Sequence, residues 1–444
     1  MVRPALAELD NLLEMRYYGL DSDGIGGRIR REIDDFIVQE ISIDGIKATS
    51  LCTNLPKGSG EYTWVVVEKR GLDSVTAVQR IQRYLNVRKK DIGFAGLKDT
   101  SAVTFQFVSI KGVINEELIE EFNKSNTRIK IHCPFRRPFA LRPGLLFGNE
   151  FTVRVREADG SNLKRLTEEL KEVSYIPNYV GYQRFGSIRP ITHIVGKNIV
   201  MGNFKEAVEE LLLRIFPYES DIAKKAREYL ASTGDYIGTL EIFPKSMKSE
   251  RSVIAHLAKR PNDYVGALRS ISSYIRKLYV GAYQAYLFNK VLSRRIEEDL
   301  SWMLPSPGDY VGIFPSTYHH EYTSVLVANE ANIDKLRKLV LDGRALLLLP
   351  IFGYNTQLSQ GKQGEIERII LKEEGIDVTR FYVKSIPEAS SAGTYRPAGL
   401  KPLDLRIHED GYDIIFSFAL RKGMYATTLL REFIKPKDPV LQGF

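Results

Sequence analysis

Apolar positions along this chain recur at two different spacings, and the dominant spacing changes part-way. In the first 186 or so residues alternation prevails. Phe151, Val153 and Val155 fall on one face while Thr152, Arg154 and Arg156 fall on the other, the two-residue period of a half-buried strand. Glu61 to Lys69 (EYTWVVVEK) has a continuous apolar centre and predicts a largely buried strand. Val103 to Ile110 (VTFQFVSI) predicts another, rich in β-branched and aromatic residues. Before it, Val78, Ile81 and Leu85 recur at helical spacing, with Ser74 as the expected N-cap. From about Lys205 the pattern turns helical: Phe204 to Phe216 and Asp221 to Ala231 predict amphipathic helices. Ala267 to Leu300 predicts one long helix, or two interrupted at Gly281. Strand-like sequence returns in Ala345 to Ile351 and in Tyr412 to Leu420. A turn at Arg421-Lys422-Gly423 and a helix from Ala426 to Ile434 follow. This mixture predicts an α+β sheet domain with helices packed on it.

The 444 residues suffice for a substantial core and suggest two or three domains. The 63 Lys and Arg against 55 Asp and Glu leave +8, a balance that favours a polyanionic partner such as nucleic acid and also serves solubility. Cys52 and Cys133 are too few for a disulfide framework; they could pair, but two ordinary thiols in a reduced compartment are the simpler expectation. The six histidines are scattered, and none pairs with cysteine at zinc-ligand spacing. The adjacent His319-His320 does not have the separation near four that two ligands on one helix face need. Asp21-Ser22-Asp23-Gly24 lacks the remaining positions of a calcium loop and reads as a turn. No metal dependence is expected. The longest apolar run, Ala345 to Phe352, is too short for a membrane span, and the N-terminus carries no export-type apolar core. A cytoplasmic protein is expected. Nothing in the pattern sets an oligomeric state.

The candidate chemistry centres on Asp99. Gly93-Phe94-Ala95-Gly96-Leu97-Lys98-Asp99-Thr100-Ser101 is a small-residue loop between the predicted helix and the strand at Val103. Its glycines allow backbone angles and close approaches that side chains resist. A carboxylate there is held by rigid neighbours yet remains reachable. By spacing alone, a solvated turn accounts for the same residues and is the commoner situation.

Ala95-Gly96-Leu97-Lys98-Asp99-Thr100-Ser101-Ala102-Val103-Thr104 resembles, without departure, the A-G-x-K-D-x-x-A-V-T signature of the tRNA pseudouridine synthase D family, in which the aspartate is catalytic. Further strings resemble the same family in its own order. Gly27 to Glu40 is similar to its basic segment leading into P-E-D-F-x-V-x-E, with Ile33-Asp34 in place of Pro-Glu and with Phe36 at the phenylalanine. Gly148-Asn149-Glu150-Phe151 is similar to G-N-x-F. Pro177-Asn178-Tyr179-Val180-Gly181-Tyr182-Gln183-Arg184-Phe185-Gly186 is similar to P-N-Y-F-G-x-Q-R-F-G, with Val180 where an aromatic is usual. Gly281 to Asn289 resembles A-Y-Q-x-x-L-F-N. Phe416 to Leu420 and Tyr425 to Glu432 resemble the family's closing F-x-L-x-x-G-x-Y-A-T-x-x-L-R-E. The matches run from about residue 27 to residue 434.

The resemblance implies a pseudouridine-synthase mixed β-sheet catalytic domain built from both chain ends, residues 1–186 and 391–444, with a family-specific α/β domain inserted over 187–390. It implies isomerisation of uridine to pseudouridine in tRNA, typically at position 13, without cofactor or metal. Asp99 would be catalytic, as nucleophile or as ribose-proton base. Substrate contacts would come from Arg30, Phe36, Lys98, Asn149, Phe151, Asn178, Gln183, Arg184, Phe185 and Phe418. Phe151 would stack on the flipped base, and Arg30 would favour ionised Asp99. The inserted segment's Arg276, Lys277, Arg294 and Arg295 would grip RNA or form solvated helix faces. Two other function classes stand beside this one. An RNA-binding or RNA-chaperone protein would not need the carboxylate, and a glycosidase would need a second one, such as Asp91 beside Asp99.

Overall fold

In the computed structural model, which describes residues 2–53, 55–56, 58–316, 319 and 321–444, the expected strands other than Ala345 to Ile351 assemble into one eight-stranded sheet. His320 lies outside the described residues. Seven strands run in the order Leu403–Asp410, Asp413–Arg421, Gly148–Val155, Phe36–Ile41, Val103–Lys111, Tyr62–Arg70, Ile129–Arg137, and Ile92–Phe94 pairs with the far half of Val103–Lys111. Every pairing is antiparallel except one. Phe36–Ile41 and Val103–Lys111 run parallel at the centre, with Ile37 opposite Val103 and Gln39 opposite Phe105. The strand from near the C-terminus is zipped onto the first half of the chain by the register Phe418 to Phe151 and Phe416 to Val153.

Burial explains the uninterrupted apolar run of Tyr62–Arg70. Val65 and Val67 pack with Val78, Ile81, Val108 and Phe122 on one face, while Trp64 and Val66 pack with Phe107 and Phe135 on the other. A strand covered on both faces loses the alternation that a half-exposed strand keeps. The helix Ser74–Tyr84 supplies one of those covers. Its N-cap is Asp73, which accepts a 2.8 Å bond from the Thr76 amide, and not Ser74 as the pattern suggested.

The helices Thr192–Met201, Tyr264–Arg269 and Gly361–Glu373 pack on Ser273–Glu297, whose 25 residues pass through Gly281 without a break. The interruption lies earlier, between Tyr264–Arg269 and the new N-cap Ser272. A Cβ at Gly281 would stand 3.2 Å from an Arg184 amino nitrogen, so this glycine makes room for a side chain and does not end the helix. The helix Phe204–Leu213 stops short of Phe216, with Arg214 already in an extended conformation. A second, four-stranded antiparallel sheet orders Ser324–Val327, Tyr310–Ile313, Ala345–Ile351 and Thr394–Pro397.

Two expectations are corrected. Cys52 and Cys133 are joined as a disulfide, with Cα atoms 5.1 Å apart, and are not ordinary thiols. They lie 81 residues apart in sequence, a separation from which no pattern could infer contact. Arg276 and Arg295 are neither an RNA grip nor a solvated face. Arg295 is fully buried and binds both oxygens of Asp309, at 2.9 and 2.7 Å. Arg276 is buried against Glu388 and the Arg269 carbonyl. Arg294 pairs with Glu297 and Glu373, which leaves Lys277 as the exposed cation of the four.

Candidate active site

The central parallel pair creates the site. Where two strands start side by side, the chain leading into each passes the same end of the sheet, and here Arg30 and Asp99 come from those two leading segments. The Asp99 loop is tied down from several directions. Ser74 Oγ accepts the Lys98 amide at 3.0 Å and donates to Gln106 Oε1 at 2.7 Å, so the residue expected as a helix cap anchors the loop. The fully buried Lys69 donates to the Asp99 carbonyl at 2.7 Å, and burial pushes its ammonium pKa down to about 8. Gly93 needs to be glycine, since a Cβ would meet the Leu141 carbonyl oxygen at 2.3 Å. Gly96 has no comparable neighbour.

The Asp99 side chain is one-third exposed and opens into a cavity of about 250 Å³. Its Oδ2 lies 3.4 Å from an Arg30 amino nitrogen. Arg30 is held for this purpose: its backbone is left-handed at φ 55°, its other amino group donates to the Gly443 carbonyl at 3.0 Å, and its guanidinium stands 4.1 Å over the Phe36 ring. Burial lowers the Arg30 pKa, with Asp99 acting in the opposite direction.

Phe151 lines the cavity at the strand position opposite both Val38 and Phe418. Its ring stacks on Phe418 at 5.5 Å and stands edge-to-face with Phe36 at 6.2 Å, and Phe36 lines the cavity beside it. Asn149, two residues earlier on the same face, lines the same cavity, and its buried Oδ1 has no hydrogen-bond partner. A buried acceptor left open is costly, and a bound donor satisfies it.

The other expected residues divide. Gln183 lines this cavity, whereas Arg184 lines a neighbouring one. Lys98 is on the wall, but its ammonium pairs with buried Glu40 at 2.5 Å. Asn178 is fully buried, donating to the Pro397 carbonyl and accepting from Arg396. Phe185 lies in the core beside His193, and Phe418 backs Phe151 without lining the cavity. Met424 to Thr427 also form the wall; the Tyr425-Ala426-Thr427 string was visible in the sequence without pointing there. Asp99 is the one carboxylate among the described residues lining the cavity, and Asp91 is engaged with Arg88 elsewhere. No cluster of three metal-ligating side chains occurs among the described residues.

One cavity at the centre of a mixed sheet thus brings together a lone described carboxylate, a buried arginine and an aromatic ring. The family model for tRNA pseudouridine synthase D matches residues 12–433. A protein of Methanosarcina mazei named a probable tRNA pseudouridine synthase D is 34% identical over 442 residues, covering 96% of this chain and 98% of its own length. Bearers of the same name from Methanopyrus kandleri and Pyrobaculum islandicum are 38% and 36% identical, over 85% and 98% of this chain and 86% and 98% of their own. The crystal structure of the Methanosarcina mazei homologue superposes with a TM-score of 0.78 at 33% identity, over 98% of this chain and 99% of that one. The chain belongs to the tRNA pseudouridine synthase D family, isomerases that convert uridine to pseudouridine in tRNA.

Proposed function

We propose that Asp99 is the catalytic residue of this tRNA pseudouridine synthase and that the modified nucleotide is uridine 13. The observation that carries the reading is Asp99 itself: the lone described carboxylate of its cavity, 3.4 Å from Arg30, with Phe151 on the same cavity wall. Isomerisation breaks the bond between ribose C1′ and N1 of uracil, turns the base, and joins C1′ to C5, after which the C5 proton is lost and N1 gains one. A stacked base has no room to turn, so the nucleotide is flipped into the cavity. Phe151 stacks on the uracil, and the open Asn149 Oδ1 accepts its N3–H. Asp99 attacks C1′ or removes the ribose 2′ proton. Both routes use the carboxylate form, whose ion-pair partner is the Arg30 guanidinium at 3.4 Å. Gln183 and Arg30 hold the nucleotide's polar edges.

The glycosidase reading loses its support because no second carboxylate faces Asp99. We also read residues 187–390 as an insertion between the two parts of the catalytic domain, 1–186 and 391–444. In support, the strands of the large sheet come from 36–155 and 403–421 alone. We place the enzyme in the cytoplasm with its tRNA. No helix among the described residues is long and apolar enough to cross a membrane. The test is pseudouridine mapping, by carbodiimide labelling and primer extension, on unmodified tRNA treated with the native protein or with Asp99→Asn. A stop at position 13 that needs Asp99 supports the reading; appreciable conversion by Asp99→Asn overturns it.

A further inference from the structure

Next to the Asp99 cavity lies a larger one, of about 370 Å³, and residues 423–425 form a wall of both. Its volume falls within the range of about 300–1,000 Å³ typical of sites that enclose small organic ligands. Its charge is one-sided. Arg184, Arg396, Arg421 and Lys422 line it, and there is no carboxylate among the described lining residues.

Arg396 is the clearest case. It is 9% exposed, and its guanidinium hydrogen bonds all go to neutral groups: the carbonyls of Asn178, Tyr179 and Gly423 and the Asn178 side-chain oxygen at 2.9 Å. Burial pushes its pKa down to about 10, the direction expected of a cation removed from water without a counter-charge. The Nε of Arg184 is buried without a hydrogen-bond partner, and this arginine forms no ion pair with a described carboxylate. Tyr322, Tyr395 and Tyr425 supply ring surface on the same walls. The combination of cations, tyrosine rings and no acid suits a phosphate together with an unstacked base.

The chain also distributes consecutive residues between the two cavities. In the short 3-10 turn Tyr182–Arg184, Gln183 lines the Asp99 cavity and Arg184 lines the larger one. A ligand that continues from one cavity to the other would be a strand whose repeating unit carries a phosphate.

We propose that this second cavity binds a nucleotide adjacent to the isomerised uridine in the same RNA strand, with Arg184 and Arg396 on its phosphate and the tyrosine rings on its base. The proposal rests on the assignment of the Asp99 cavity to the reacting uridine. It makes the enzyme's selectivity depend on two unstacked nucleotides, so RNA whose neighbouring base stays paired is a poor substrate.

The test uses the full chain and tRNA-derived RNAs carrying one uncharged methylphosphonate linkage, or one abasic residue, at each position flanking the target uridine. Affinity and turnover are measured separately. With native enzyme, one neighbouring methylphosphonate should raise Kd and KM about tenfold, the loss expected for one charge-assisted contact, while kcat changes by less than about twofold. An abasic residue at that same neighbour should also weaken binding. Arg184→Gln should show the tenfold loss on unmodified RNA, a salt dependence shallower by about one contact, and a smaller further loss with the methylphosphonate than the native enzyme shows, because Arg396 alone remains on that phosphate. Lys422→Gln, with thermal unfolding of both variants as the folding control, provides a second probe of the same walls. Uniform response to every linkage, or additive losses in Arg184→Gln, overturns the proposal. So does competition by inorganic phosphate without sensitivity to any linkage, which would mark a free-anion site. Because Kd is read independently of turnover, an absence of pseudouridine in every RNA would count against the Asp99 assignment and leave the binding result to decide this one.

Discussion

Asp99 combines a pinned backbone with an open side chain, a pairing that chemistry on a bulky substrate requires. Lys69 and Ser74 fix the loop through its carbonyl and the preceding amide, whereas the carboxylate meets Arg30 at 3.4 Å and otherwise faces the cavity. Asp99→Asn keeps the shape and removes the ionised oxygen. It should bind tRNA as tightly as the native protein and form no pseudouridine, as read by single-turnover mapping. Phe151→Ala removes the ring presented to the base and should cost about 1–3 kcal/mol of substrate stacking, seen as a fall in kcat/KM of about 5- to 150-fold. A rate equal to that of the native enzyme would show that the ring serves packing against Phe418 alone. At this scale the sequence was informative where a residue faces the cavity and silent where it turns away. Asn178, Phe185 and Lys98 belong to matching strings, yet their polar or aromatic groups are spent on Arg396, the core and Glu40.

Neighbouring residues of one element do separable work in the helix Ser74–Tyr84. Asp73 caps it, while Ser74 reaches across to the Asp99 loop. Asp73→Ala should lower stability by about 1 kcal/mol in urea unfolding and leave kcat unchanged. Ser74→Ala should cost a similar amount through the lost hydrogen bonds and also lower kcat, because the Lys98 amide and Gln106 lose their anchor. Equal effects of both substitutions on kcat would argue against the anchoring role. Most elements were legible because their periods survive in one dimension: the strand Val103–Lys111, the strand Ala345–Ile351 and the helix Ala426–Ile434 lie where the pattern put them, within a residue. Two of the assignments that moved did so for tertiary reasons. Gly281 reads as a breaker until Arg184 is seen beside it, and serine reads as a cap until the loop it holds is brought near.

Whole-molecule stability depends on groups that no local pattern identifies. His193 is buried between the rings of Phe185 and Tyr286, and burial lowers its pKa from 6.5 to about 4. Because the folded value is depressed, its contribution is complete above pH 6.5 and disappears as pH falls through about 4. Stability should therefore decline across that window by about 3 kcal/mol, and His193→Phe should flatten the decline in unfolding measured from pH 7 to pH 4. The Cys52–Cys133 bond closes a loop spanning 81 positions, so Cys52→Ser should lower stability by about 2–4 kcal/mol, checked by thermal unfolding of native and variant protein.

By itself the sequence determined the element types, the basic balance and the short strings that mark Asp99 and its family, since each is written in contiguous residues. Only the tertiary structure decided which charged groups meet. Arg30 reaches Asp99 across 69 positions, Phe418 backs Phe151, and Arg295 is withdrawn from solvent onto Asp309. The physical reason is that the sheet's register and the order of its strands, set by burying both faces, bring distant segments to one end of a central parallel pair.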